Sequence, residues 1–187
     1  MSNKNINIYL EANPNPNSLK FVADHMLVEA GQNYDFPTSD SAGHAPLAKE
    51  LFEYDFVRRV FYMSNFVTIT KSAEVEWPDI QDELKKHIED FLASGRPILE
   101  KQASESVAED TEMDKKIRVL LDEYVKPSVE QDGGAIEYKS FEDGVVKVFL
   151  QGSCSGCPSA SITLKAGIEN LLKSQIPEVK AVEAEEV

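Results

Sequence analysis

Cysteine is nearly absent from this chain, with two among 187 residues, Cys154 and Cys157. Two thiols three positions apart cannot build the bridge framework that holds small secreted domains together. Long apolar runs are missing too: none approaches the 18 or so residues of a membrane span. The opening, Met1 to Ile8, has neither an apolar signal core nor an Arg-rich amphipathic leader. Basic residues are few, 19 against 33 acidic, for a net charge of -14. That balance argues against nucleic acid, which is bound through basic patches, and against anionic membrane surfaces. A chain with these absences is expected to be cytoplasmic. The three histidines, His25, His44 and His87, are scattered, and no zinc-protease, phosphate-loop or dinucleotide motif occurs. No carboxylate pair marks an acid–base site, so the chain is expected not to be an enzyme.

What is present divides into two halves, with a hydrophobic fraction of 42%, ordinary for folded domains. Ile6, Ile8 and Leu10 alternate with polar residues as in a half-buried strand. The Asn-Pro run 13–17 breaks that strand. Leu19 to Val22 and His25 to Val28 are expected as short strands, 31–41 as a loop, and Pro46 to Phe52 as a short helix. Phe56 to Met63 and Phe66 to Thr70 read as a hairpin in which Arg58 and Arg59 break the alternation. Trp77, Ile80, Leu84, Ile88 and Phe91 follow helical spacing up to Gly95.

The segment 99–112 has one basic and five acidic residues and almost nothing to bury, so it is expected to be an acidic flexible linker. Beyond it, Asp114 is a candidate helix cap, with Pro127 expected to bend or divide the helix late. Gly133 and Gly134 fit either the end of that helix or a close approach near the cysteines. Two strands, Ala135 to Ser140 and Val145 to Leu150, join through Asp143-Gly144. A helix over 158–174 and a strand over 179–182 complete an αββαβ order. The fold class is α+β, as two small domains, 1–98 and 113–187.

The second of these domains is organised around Gly152-Ser-Cys-Ser-Gly-Cys-Pro-Ser159. Gly152 and Gly156 suit a turn that aims both sulfurs one way. Pro158 fits the first turn of a helix, whose positive end favours a thiolate. The site is expected in an exposed turn. Zinc and iron–sulfur clusters normally take four protein ligands. One chain supplies two and a pair of chains supplies four. From the residues alone, three readings stay open: a metal or cluster bridging two copies, a dithiol–disulfide oxidoreductase, and a zinc-bridged structural dimer. A thioredoxin-like redox site would call for a preceding βαβ unit, which the expected element order lacks.

The stretch from Asp132-Gly-Gly through an apolar strand, the cysteine octapeptide, Thr163-Leu-Lys and Ile176-Pro-Glu-Val179 closely resembles the C-terminal domain of the NifU-like (Nfu) iron–sulfur cluster proteins. The resemblance implies that Cys154 and Cys157 ligate a 4Fe-4S cluster shared between two protomers. It also implies that the cluster comes from donor assembly proteins and passes to apo acceptor proteins. Lys165 is a candidate for balancing cluster charge or a plain solvated lysine. A second resemblance covers Ala12-Asn-Pro-Asn-Pro-Asn-Ser-Leu-Lys-Phe21, Pro46-Leu-Ala48 and the Val-Phe-Tyr hairpin, which look like the Nfu N-terminal domain. Asn13 stands where that family more often has Thr.

Overall fold

The computed structural model describes residues 6–100, 111–155 and 158–186, with side-chain surroundings for all of these but 158–161 and 186. The architecture is α+β, in two compact units, Met1–Ser104 and Glu105–Val187. Most of the acidic run expected as a linker, 101–110, lies outside the described residues.

The first unit is a five-stranded sheet in the order β1-β2-β5-β4-β3, antiparallel at every pairing. Its strands are β1 (Ile8–Ala12), β2 (Ser18–Ala23), β3 (Asn33–Phe36), β4 (Val57–Met63) and β5 (Phe66–Lys71). The helices α1 (Pro46–Leu51) and α2 (Trp77–Ala93) pack on one face, so that Leu47, Leu51, Leu84, Ile88 and Phe91 join Phe21, Val60 and Ile69 in a single core. The Asn-Pro run is a tight turn. Asn17 N donates to the Asn15 side chain at 3.0 Å, and Ser18 Oγ donates to Asn13 Oδ1 at 2.9 Å, so Asn13 supplies the acceptor the turn uses. Trp77 opens α2, donates its indole N–H to the Pro16 carbonyl at 3.0 Å and meets Phe21 edge-on at 6.4 Å.

Two local expectations are corrected here. His25 to Val28 is no strand: the Leu27 and Val28 amides both donate to the Ser64 carbonyl, at 2.7 and 3.0 Å, which pins an irregular segment under the β4–β5 turn. The stretch expected as loop contains β3, which pairs with β4 from Asn33↔Met63 to Phe36↔Val60. Four residues are too few to show a period. The strand is held from afar, by pairing and by Arg59, whose guanidinium grips Asp35 with two hydrogen bonds, the Nε one at 2.8 Å. Arg59 stands two residues from Phe61, the partner of Asp35, and so on the same face of β4, which is irregular against β5 between Val57 and Arg59, where the alternation breaks.

The second unit begins with α3 (Glu112–Leu120), which runs through a π turn at Leu121–Val125 into α4 (Lys126–Gln131). Glu112 thus opens a helix rather than closing a linker. The cap is Thr111, not Asp114. Thr111 Oγ1 accepts from the Asp114 amide at 3.2 Å, and the Asp114 carboxylate accepts from Thr111 N at 2.8 Å, a reciprocal arrangement that satisfies two otherwise orphaned donors. Pro127, which brings no amide and crowds the preceding turn, sits in the first turn of α4. The π turn before it supplies the extra residue that lets the chain continue.

Strands β6 (Gly134–Glu142) and β7 (Val145–Gly152) form the expected hairpin, turning through Asp143 at φ 53° and Gly144 at φ 87°. Helix α5 (Pro158–Gln175) then carries the chain to β8 (Ala181–Glu186), which pairs parallel to β7 at the edge of a β6-β7-β8 sheet. Ile117, Leu121, Val129, Val148, Ile168 and Leu172 are among the side chains of its core.

Candidate metal centre

The cysteine segment lies where β7 hands over to α5. Gly152 ends the strand at φ 65°, a left-handed conformation that glycine adopts without strain, and it pairs in register with Gly134 at the start of β6. The chain then folds back on the end of α4. Ser153 N donates to the Gly133 carbonyl at 3.3 Å, Ser153 Oγ donates to the Asp132 carbonyl, and Ser155 N closes a turn onto the Gly152 carbonyl at 3.2 Å. Three backbone carbonyls on two elements therefore fix the turn that carries Cys154.

Cys154 is 5% exposed and belongs to the core of its unit. Its neighbours Ser153 and Ser155 are buried as well. The expectation of an exposed turn fails for these three residues, and for Cys154 the room is made at Gly134. The Cys154 thiol lies against the bare Cα of Gly134, where a side chain would stand. Cys157 and Gly156 lie outside the described residues, as does the expected effect of the helix end on the Cys157 thiolate. The backbone of α5 does begin at Pro158.

Among the described residues no three His, Cys, Asp or Glu side chains gather where they would hold a metal ion. The histidines all belong to the first unit, each with a local neighbour. His25 meets Asp24 at 2.8 Å, His44 lies tilted against Phe36, and His87 bridges the Tyr54 hydroxyl and Glu50 at 2.9 and 3.0 Å. Arg96 also bonds Glu50, and with His87 it holds that carboxyl below its usual range. Lys165 is exposed on α5, where its charge bears on Glu169.

Gly133 and Gly134, for which two readings stood open, divide them. Gly133 N donates to the Glu130 carbonyl at the helix end, and Gly134 makes the close approach to the cysteine turn. The bonds of Ser153 were not legible, because a small polar residue in a turn is compatible with many partners. The motif opens the helix of a β7–α5–β8 unit, with β8 parallel to β7, while the described elements before it in this unit, α3, α4, β6 and β7, are not the preceding βαβ unit that a thioredoxin-like site calls for.

Residues 8–95 match the family model described as "Scaffold protein Nfu/NifU N terminal", and residues 117–183 match "NifU-like domain". A human protein named "NFU1 iron-sulfur cluster scaffold homolog, mitochondrial" is 43% identical over 94% of this chain and 70% of its own length. "NifU-like protein 5, mitochondrial" of Arabidopsis thaliana is 46% identical over 95% of this chain and 67% of its own. The protein of Drosophila persimilis with the same name as the human one is 45% identical, and this chain spans 64% of that relative's length. The solution structure of a NifU-like protein from Saccharomyces cerevisiae, 28% identical, superposes with a TM-score of 0.49 over 55% of this chain and 92% of its own. The three named relatives are mitochondrial, which overturns the expectation of a cytoplasmic protein. That expectation rested on the character of the opening residues, on few cysteines and on the lack of apolar runs, and the last two suit any reducing aqueous compartment. No helix among the described residues is long and apolar enough to cross a membrane.

Proposed function

Because this chain belongs to the Nfu/NifU scaffold family, we propose that it carries an iron–sulfur cluster as cargo on Cys154 and Cys157. A 4Fe-4S cube takes four thiolates, and each chain supplies two. The cluster is therefore shared by two protomers, arrives from donor assembly proteins and leaves for apo acceptors. Transfer is ligand exchange: an acceptor thiolate forms an iron–sulfur bond as a cysteine of this chain gives one up and takes a proton. No electron moves and no acid–base residue is required, so the protein acts as a carrier rather than an enzyme. The observation that supports this reading most is the placement of Cys154, fixed by backbone bonds at the β7–α5 turn inside the stretch that matches the NifU-like domain. The modules are the first unit, residues 1–98 and the Leu99 and Glu100 that pack and bond to it, which recruits partners, an acidic linker that ends before the Thr111 cap, and the second unit, which holds the cargo.

Anaerobic reconstitution with iron and sulfide, followed by metal and sulfide analysis and native mass measurement, tests this reading. One 4Fe-4S unit per two chains is expected, in a brown protein. Cys154→Ser and Cys157→Ser should each abolish stable loading. A loaded monomer without added thiol would sink the bridging arrangement. A colourless protein would point to zinc or to a disulfide using the same pair.

A further inference from the structure

Gly134 meets Cys154 from twenty residues upstream, and the contact is too close to admit any side chain. A Cβ placed on Gly134 would stand 2.8 Å from Cys154 Sγ and 3.2 Å from its Cβ, and 2.6 Å from the Gln151 carbonyl oxygen. Carbon atoms do not approach sulfur or oxygen so closely without displacing something. The Gln151 oxygen belongs to a paired strand, in register from Gly134↔Gly152 along the hairpin, and has little freedom to yield. The Cys154 sulfur therefore has to leave its place if a side chain is put on Gly134, against the bonds by which Ser153 and Ser155 hold the turn, Ser153 Oγ to the Asp132 carbonyl among them.

The geometry points to Gly134 as a positioning residue for the cluster site: its bare Cα is the seat that holds the Cys154 sulfur, buried, at the end of β7. Gly134 touches no cargo and acts only through Cys154. Its consequence for loading rests on the reading of Cys154 as a ligand. The seat itself is a property of the unloaded chain and is measured without iron.

The test uses the full chain with Cys157→Ser, so that Cys154 is the only thiol, and follows alkylation by N-ethylmaleimide. In the folded parent, alkylation should run at least about a hundredfold slower than in urea, as for a group reached only by local opening. Gly134→Ala should raise the folded-state rate at least about tenfold while the melt stays cooperative. Gly144→Ala is the control. It strains the far turn of the same hairpin, at φ 87° against Lys180 and the Glu178 carbonyl, and should lower the melting temperature without exposing the thiol. A folded Gly134→Ala chain that alkylates at the parent rate overturns the proposal.

If Gly134→Ala does not fold, the same change is made with Cys154→Ala in place. Removing the sulfur should restore folding or at least halve the loss in melting temperature. A loss undiminished there comes from the Gln151 backbone and overturns the seat. With both native cysteines, Gly134→Ala should lower cluster loading at least about fivefold, and full loading with the thiol displaced overturns the positioning role. Full loading of Cys154→Ser would instead defeat the ligand assignment, leaving the alkylation result to decide the seat alone.

Discussion

At Asp114 one carboxylate completes a helix cap and accepts the Tyr138 hydroxyl, joining α3 to β6. The hydrogen bond from Thr111, then that from Tyr138, hold its pKa below the usual carboxylate value. A lowered folded-state pKa means stability that is present above the ordinary value and lost as pH falls through the lowered one. Asp114→Asn should therefore cost about 1 kcal/mol at neutral pH, the scale of a lost cap. The gap between the two proteins should begin to shrink as pH drops below about 4. Urea melts of both at pH 7 and pH 3 check this, and a gap undiminished at pH 3 contradicts the assignment. At this scale the cysteines were legible because they are the only thiols. The Thr111 cap was less so, since Thr111 and Asp114 are both good caps and only the helix start decides between them. Gly134 could be given two roles but not one, because its contact depends on the β6–β7 register.

Among the elements, β3 is the one that local sequence hides. Its stability is borrowed from β4 and from the pair Arg59–Asp35, whose side chains are 13% and 3% exposed. Removing one partner leaves the other charge buried and uncompensated, so Arg59→Leu should cost about 3 kcal/mol. The double change Asp35→Leu with Arg59→Leu should cost much less, because no charge then remains buried. Denaturant melts give both numbers, and hydrogen exchange at β3 amides should rise first in Arg59→Leu. Equal losses in the single and double variants would show that the pair does not hold the strand. Long periodic elements such as α2 declared themselves, since Ile80, Leu84, Ile88 and Phe91 all face the core as their spacing requires. His25 to Val28 had strand-like composition but no partner strand, and composition alone does not provide one.

For the whole molecule, the division into two compact units separates holding from delivery in the proposed function. Deleting residues 1–98 should leave cluster loading nearly unchanged. It should slow transfer to at least one acceptor, because a tethered recruiting module raises effective concentration without touching the cargo. Loading by iron analysis and transfer by acceptor activation give the two readouts. Equal transfer rates across a panel of acceptors would leave the first unit a stabilising role only. The αββαβ order could be read from element periods, whereas the direction of β8 could not, because a parallel and an antiparallel strand of four to six residues carry the same pattern. The place of β8 at the end of its sheet has a consequence for self-association. As an edge strand, β8 presents unpaired backbone on one side, an invitation for a second sheet to add on and fuse two chains irreversibly. Its sequence, Ala-Val-Glu-Ala-Glu-Glu, is acidic, so an identical strand laid beside it would bring like charges opposite one another. Under the proposed function, in which a second copy joins through a removable metal centre and parts again, that repulsion works against a further joining through the backbone.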